Sequence, residues 1–250
     1  MNQEAVWDIR PDLPSDAPAL LVLSHAGGSA HAYLDWEPLI PPHVRLLIGQ
    51  YPGRGARYSE PLPTDVDDLA EQLYQVLRDQ PRLHVLGHSM GALVAFELAL
   101  RLERAGRPPA GLIVSAARAA HLENPRPVHP ERLDDEEMAA ELGVRGGTAP
   151  ELLEDPDMRA MVLRVIRADF ALDDAYRHTG PVPALSCPLT VLGGEDDPVV
   201  PIADLKAWHQ LTTGSGHTSM FPGGHFYFSD DLPTVLSAVA GVLPADRRNS

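Results

Sequence analysis

Cysteine is almost missing from this chain. The single one, Cys187, cannot close an internal disulfide, so the fold needs no oxidising compartment. Its place just before an apolar run reads as a small buried residue rather than a nucleophile. Basic residues are also scarce: 20 stand against 35 acidic ones, for a formal net charge of -15. That balance repels nucleic acid and anionic membranes overall, and neither is expected as a partner. No apolar run is long enough to span a bilayer. The opening residues, MNQEAVWDIRPDLPSDAP, have no basic n-region and no apolar h-region of a secretory signal. The expectation is a soluble, cytoplasmic protein, and a monomer.

Proline and glycine are plentiful, at 25 and 20 residues. They suit a fold with many short connections. Short apolar runs at 19–24, 44–49, 83–87, 111–115, 188–193 and 216–221 read as strands, with a short edge strand near Ala5 to Ile9. Helices are predicted over 65–79, after residue 89, over 202–211 and over 231–243, the first with Thr64 as N-cap and with Leu69, Leu73, Val76 and Leu77 on one face. Strand and helix alternate, which predicts an α/β fold with a mostly parallel central sheet covered on both faces. The exception is residues 119–178, which are too long for one crossover. They read as two helical stretches, DDEEMAAELG and PELLEDPDMRAMVLRVIRADFALDDAYRH, the second with Met161, Val165 and Ile166 at helical spacing. The predicted organisation is therefore a core of residues 1–118 and 179–250 with a helical lid inserted at 119–178.

Gly87-His88-Ser89-Met90-Gly91 follows an apolar strand and opens an amphipathic helix. This is the context of a nucleophile elbow, in which glycines two residues either side let the chain turn sharply and project the serine. Ser89 is the predicted nucleophile. The amide of Met90, at the helix start, is a predicted oxyanion donor, and the Ala26 amide in His25-Ala26-Gly27-Gly28 is the second. That glycine pair lacks the pattern and lysine of a phosphate loop.

A serine needs a base, and the base an orienting acid, in the chain order Ser, Asp or Glu, His. Of 11 histidines, His225 sits in a glycine loop before the last helix and fits as the base. The acid falls in Glu195-Asp196-Asp197, after a strand; Asp197 is favoured and Asp196 competes with it. His25, His31 and Asp35 lie in a turn and a helix start rather than in a ligand set, and no metal or cofactor is expected. His25 is expected to brace its loop.

With these residues in place, the chain resembles the stand-alone type II thioesterases that accompany polyketide synthases and non-ribosomal peptide synthetases, an α/β-hydrolase family. The resemblance is carried by Ser24-His25-Ala26-Gly27-Gly28-Ser29-Ala30 with Tyr33 and Trp36, by Gln50-Tyr51-Pro52-Gly53-Arg54-Gly55, and by Gly87 to Ala92 with Ala95-Phe96-Glu97. Arg167-Ala168-Asp169-Phe170 with Tyr176, Gly193-Gly194 with Asp197-Pro198, Trp208 and Pro222-Gly223-Gly224-His225-Phe226 complete it. The resemblance implies hydrolysis of aberrant or stalled acyl groups from the phosphopantetheine arm of acyl or peptidyl carrier proteins. It implies Ser89 and His225 as catalytic pair, an acid at Asp197, and a lid in the insertion. A product-releasing or cyclising thioesterase and a non-catalytic carrier-binding regulator are the alternatives. Carrier proteins are commonly acidic, so docking would rely on local arginines such as Arg159, Arg164 and Arg167.

Overall fold

The computed structural model describes residues 5–147 and 151–245. Seven strands form one sheet: β1 (Val6–Asp8), β2 (Ala19–Leu23), β3 (Arg45–Gly49), β4 (Leu83–His88), β5 (Gly111–Ser115), β6 (Leu189–Gly194) and β7 (Gly216–Phe221). Their order is β1-β3-β2-β4-β5-β6-β7. Only β1 runs antiparallel, with Trp7 opposite Ile48; every other pairing is parallel.

Strand β2 shows how the two-residue period builds two cores. Leu21 and Leu23 face one side, with Leu93, Phe96 and Trp208. Leu20 and Val22 face the other, with Tyr33, Trp36 and Leu236. Both faces are covered, so an uninterrupted apolar run is what this strand needs. The first face is covered by α1 (Val66–Leu77) and α2 (Met90–Arg104), the second by α7 (Leu232–Val242) and the 3-10 helix Ala30–Leu39.

Helix α1 buries Val66, Leu69, Ala70, Leu73 and Leu77, one stripe at helical spacing, with Val76 half-buried at its margin. Its N-cap is Asp65, not Thr64: the Asp65 carboxylate accepts from the Asp67 amide at 2.7 Å. The helix simply begins one residue later, and a cap of this kind contributes about 1 kcal/mol. The helix expected over 202–211 splits into α6 (Ile202–Lys206) and a tighter 3-10 turn at Ala207–Leu211.

Between β5 and β6, residues 119–178 contain helices and no strand among the described residues. Helix α3 (Asp135–Arg145) starts in a capping box, with Asp134 and Glu137 each satisfying the other's backbone amide. The second predicted helical stretch is not continuous. It divides into α4 (Glu151–Glu154) and α5 (Pro156–Ala175). Pro156 is the cause: it cannot sit inside a helix, so Asp155 caps a new one and Pro156 takes its first position. Pro150, at the start of that stretch, lies outside the described residues.

The inward face of α5 is Leu163, Ile166 and Phe170, joined to Met138 and Leu142 of α3 in a third apolar cluster. Met161 points outward and is 37% exposed. The C-terminal half of α5 is bolted to the core. Arg118 meets the Asp173 carboxylate at 2.9 Å and the Tyr176 carbonyl at 2.8 Å, and the Tyr176 hydroxyl donates to Glu97 at 2.8 Å. Among the described residues, no helix is long and apolar enough to cross a membrane.

Candidate active site

Ser89 lies between β4 and α2 with φ 54° and ψ -124°, a conformation that side chains rarely adopt. Two close approaches impose it. A Cβ on Gly87 would stand 2.1 Å from the Gly91 carbonyl oxygen, and one on Gly91 would stand 2.4 Å from the Leu23 carbonyl oxygen of β2. The turn is therefore pressed against its own helix and against the neighbouring strand.

Ser89 Oγ is 3.0 Å from His225 Nε2, and His225 Nδ1 is 2.9 Å from Asp197 Oδ2. The three come from the ends of β4, β6 and β7, at the carboxyl edge of the sheet, where open α/β folds place their ligands. The other Asp197 oxygen accepts from the amides of Val199 at 2.7 Å and Val200 at 3.2 Å. Asp197 thus caps the turn towards α6 with one oxygen and orients the imidazole with the other. Its side chain is 4% exposed. Asp196 and Glu195 are exposed, and neither reaches His225.

The amides of Ala26 and Met90 donate to no protein acceptor among the described residues. The next amide, Gly27, is engaged by Asp169 Oδ2 at 2.7 Å. Asp169 in turn forms a two-pronged pair with Arg54, closing at 2.7 Å on Oδ1 and closer still on Oδ2. Both side chains are buried. Removing one partner would strand a buried charge, at a cost of about 3–5 kcal/mol. The sequence pattern contained both residues without a role for either. The available signal was an acid beside Ile166 and Phe170, on the apolar face of its helix.

Two further histidines flank His225. The His25 ring hydrogen-bonds the Tyr33 hydroxyl at 3.1 Å and packs edge-on against Phe226. His88 bonds Ser115 Oγ at 2.9 Å, and that oxygen bonds the Tyr227 hydroxyl at 2.7 Å. Burial pushes the His25 imidazole down to about 3, with His225 and Arg54 adding to the effect. Burial likewise holds His88 well below the ordinary histidine value, with smaller contributions from His225 and His25. Both are neutral braces. The unfolded chain takes up these protons near pH 6.5 and the folded chain does not. Their contribution is complete above that pH and declines as pH falls below it, by about 1.4 kcal/mol per pH unit for each histidine. Thermal melts should show a lower Tm at pH 5.5 than at pH 7.5. An equal Tm would mean that the folded state accommodates the charged rings.

Two small hollows adjoin Ser89 among the described residues. One hollow of about 30 Å³ is lined by Ser89, His225, Arg118 and Asn124; a second of about 20 Å³ is lined by Ser89, His25, Leu142 and Phe170. Each holds roughly one water molecule. Arg145, at the end of α3, lines both. A hollow of about 320 Å³ away from Ser89 is lined by residues of the Arg78–Leu83 and Arg107–Pro109 stretches together with Leu102, and offers no serine, cysteine or histidine. Cys187 is buried, its thiol pushed up to about 12 mainly by that burial, so it is no rival nucleophile. Among the described residues no three His, Cys, Asp or Glu side chains gather as a metal site.

Two of the arginines considered for docking are engaged within the insertion. Arg159 pairs with Glu136 at 2.9 Å, and Arg167 with Asp135 at 2.8 Å and with the Pro130 and Leu133 carbonyls. Both brace α3 against α5. Arg164 is exposed and lies over the Tyr58 ring at 5.5 Å.

The strand order, with Ser89 on its strand-to-helix turn at the carboxyl edge, places the molecule in the α/β-hydrolase class. Residues 18–242 match the family described as thioesterase domain, and the chain belongs to that family. It is 37% identical over 238 residues to the thioesterase PikA5 of Streptomyces venezuelae, covering 94% of this chain and 84% of that one. Among solved structures, the type II thioesterase BorB from the borrelidin biosynthetic cluster superposes with a TM-score of 0.82 at 36% identity, over 97% of both chains. YbtT, the type II thioesterase of the yersiniabactin NRPS/PKS pathway, gives 0.83 at 30% identity, over 96% of this chain and 98% of that one. The chain is accordingly a serine hydrolase that acts on thioesters.

Proposed function

We propose that this thioesterase serves a polyketide or non-ribosomal peptide assembly line, where it hydrolyses aberrant or stalled acyl groups from the phosphopantetheine arm of an acyl or peptidyl carrier protein. The observation that carries the reading is the continuous hydrogen-bonded chain Ser89–His225–Asp197 beneath the α3–α5 insertion; relatives that are thioesterases of such biosynthetic pathways support it.

In this mechanism His225 Nε2 takes the Ser89 proton as Oγ attacks the thioester carbonyl. The amides of Ala26 and Met90 receive the oxyanion. Collapse breaks the carbon–sulfur bond, the pantetheine thiol leaves with the proton from His225, and an acyl-serine remains. His225 then deprotonates water, which attacks the ester, and Ser89 recovers its proton as the free acid departs. Asp197 Oδ2, 2.9 Å from His225 Nδ1, stabilises the imidazolium.

Hollows of 20–30 Å³ cannot hold an acyl group, for which sites of about 300 Å³ or more are usual. The insertion therefore acts as a lid that must part from the sheet edge to admit the arm. The test is a panel of carrier proteins loaded with acetyl, propionyl, aminoacyl and long-chain groups, with product identified by mass spectrometry. Free acids should appear, faster from carrier-bound than from small soluble thioesters. Cyclised product would favour chain release instead. Activity on small oxygen esters with none on loaded carriers would refute the proposal.

A further inference from the structure

We infer that Asp169 is a positioning residue for catalysis: its buried carboxylate, reaching down from α5, holds the Ala26–Gly27 turn in the geometry that receives the oxyanion. The inference rests on the reading of Ser89 as nucleophile and Ala26 as oxyanion donor.

The turn after β2 is pinned through its backbone at three points, and the His25 side chain adds a fourth hold on the Tyr33 hydroxyl at 3.1 Å. The Tyr51 hydroxyl donates to the Ser24 carbonyl at 3.3 Å, and Gln50 Oε1 accepts from the Ala30 amide at 3.1 Å. These two anchors come from the loop after β3, within the core. The third, from the Gly27 amide to Asp169 Oδ2 at 2.7 Å, comes from the insertion. It is also the only one of the three next to Ala26. With the Gly27 amide occupied, the Ala26 amide is left to face the reaction.

Asp169 is itself immobilised. It is fully buried, and the Arg54 guanidinium grips both of its oxygens. Arg54 belongs to the same loop as Gln50, and Gln50 Nε2 donates to the Arg54 carbonyl at 3.0 Å. The turn, the loop after β3 and α5 thus close into one ring of hydrogen bonds. Packing reinforces it. Gly27 has φ +80°, and a Cβ there would stand 2.5 Å from Ile166, so α5 lies flush on the turn. Ala26 packs against the α3–α5 cluster. Seating of this part of α5 becomes a condition of catalysis. The part of the lid that opens is then α3, which carries Leu142 and Arg145 over Ser89, while α5 stays down.

Asp169→Leu and Asp169→Asn separate this role from a structural one. Both leave Arg54 without its ion pair, so both should lower Tm. Only Asn retains an oxygen that can accept from the Gly27 amide. Because misplacing a catalytic group by about 1 Å can cost on the order of 10²-fold, Asp169→Leu should lower kcat per folded molecule roughly hundredfold with KM within about threefold. Asp169→Asn should restore most of that loss. Equal damage in both variants, or wild-type kcat in Asp169→Leu, would overturn the inference. Hydrogen exchange on the unmodified protein decides the matter even if Asp169→Leu does not fold. The Gly27 amide should be as protected as the amides around Asp169 and slower than those of α3; rapid exchange at Gly27 would overturn the inference. Ser89→Ala run alongside keeps the readings apart: retained hydrolysis there would defeat the nucleophile assignment itself, whereas a normal Asp169→Leu beside an inactive Ser89→Ala would defeat only this one.

Discussion

Ser89→Ala should abolish thioester hydrolysis and leave the fold intact. Loss of a serine nucleophile in a comparable triad costs roughly 10⁶-fold in kcat, because the remaining groups then have nothing to activate. The fold should survive for a local reason. The strained backbone at Ser89, φ 54°, is held by Gly87, Gly91 and the Leu23 carbonyl, and alanine meets the same steric limits there as serine. Oγ makes its hydrogen bond to His225, so little else is lost. Acid release from an acetyl-loaded carrier protein gives the rate, and a melt gives the stability. The unmodified enzyme mixed with substrate and quenched early should show a mass increase equal to one acyl group. The increase should be absent from Ser89→Ala. A variant that is inactive but also unfolded would not count as support; a folded variant at full rate would remove the mechanism.

The second large effect is expected at Asp197 and not at its neighbour. Asp197→Asn should lower kcat by about 10⁴-fold, the size seen when an amide replaces the carboxylate of such a triad. The amide can present an N–H to His225 Nδ1, which favours the tautomer whose Nε2 cannot take the serine proton. The carboxamide oxygen can still accept from the Val199 and Val200 amides, now 2.7 and 3.2 Å from Asp197 Oδ1. The turn should therefore keep its shape. Asp196→Asn, on an exposed side chain, should stay within about twofold of the parent, as surface changes away from such features usually do. The reverse outcome, an inactive Asp196→Asn beside an active Asp197→Asn, would move the acid by one residue.

What could be read from the amino acids alone divides by range. The elbow was legible because its requirements are local: a strand, two glycines and a helix within a few residues. His225 was legible from chain order and its glycine loop. The choice between Asp196 and Asp197 was not closed by pattern, because it depends on how the loop after β7 approaches the loop after β6. The structure puts both a turn cap and the histidine partner on the one carboxylate of Asp197. The break at Asp155-Pro156 carried a plain local signal, an N-cap followed by proline, that helical periodicity on either side obscured. Arg159 and Arg167 looked like surface charges since Asp135 of α3, whose carbonyl takes Arg159 and whose carboxylate takes Arg167, lies 24 and 32 residues away. Arg54 and Asp169 are 115 residues apart, a separation at which no spacing rule operates.

That last separation bears on how the protein can be altered. Gly27, Arg54 and Asp169 belong to three segments scattered along the chain, yet their geometry is a single unit. The insertion is therefore not an interchangeable cassette. A chimera that borrows residues 119–178 from a relative must present a carboxylate to Arg54 and a matching surface to Gly27, and a mismatch in either would shift the Ala26–Gly27 turn before it altered any contact with substrate. Compatible exchanges are those that move the three segments together.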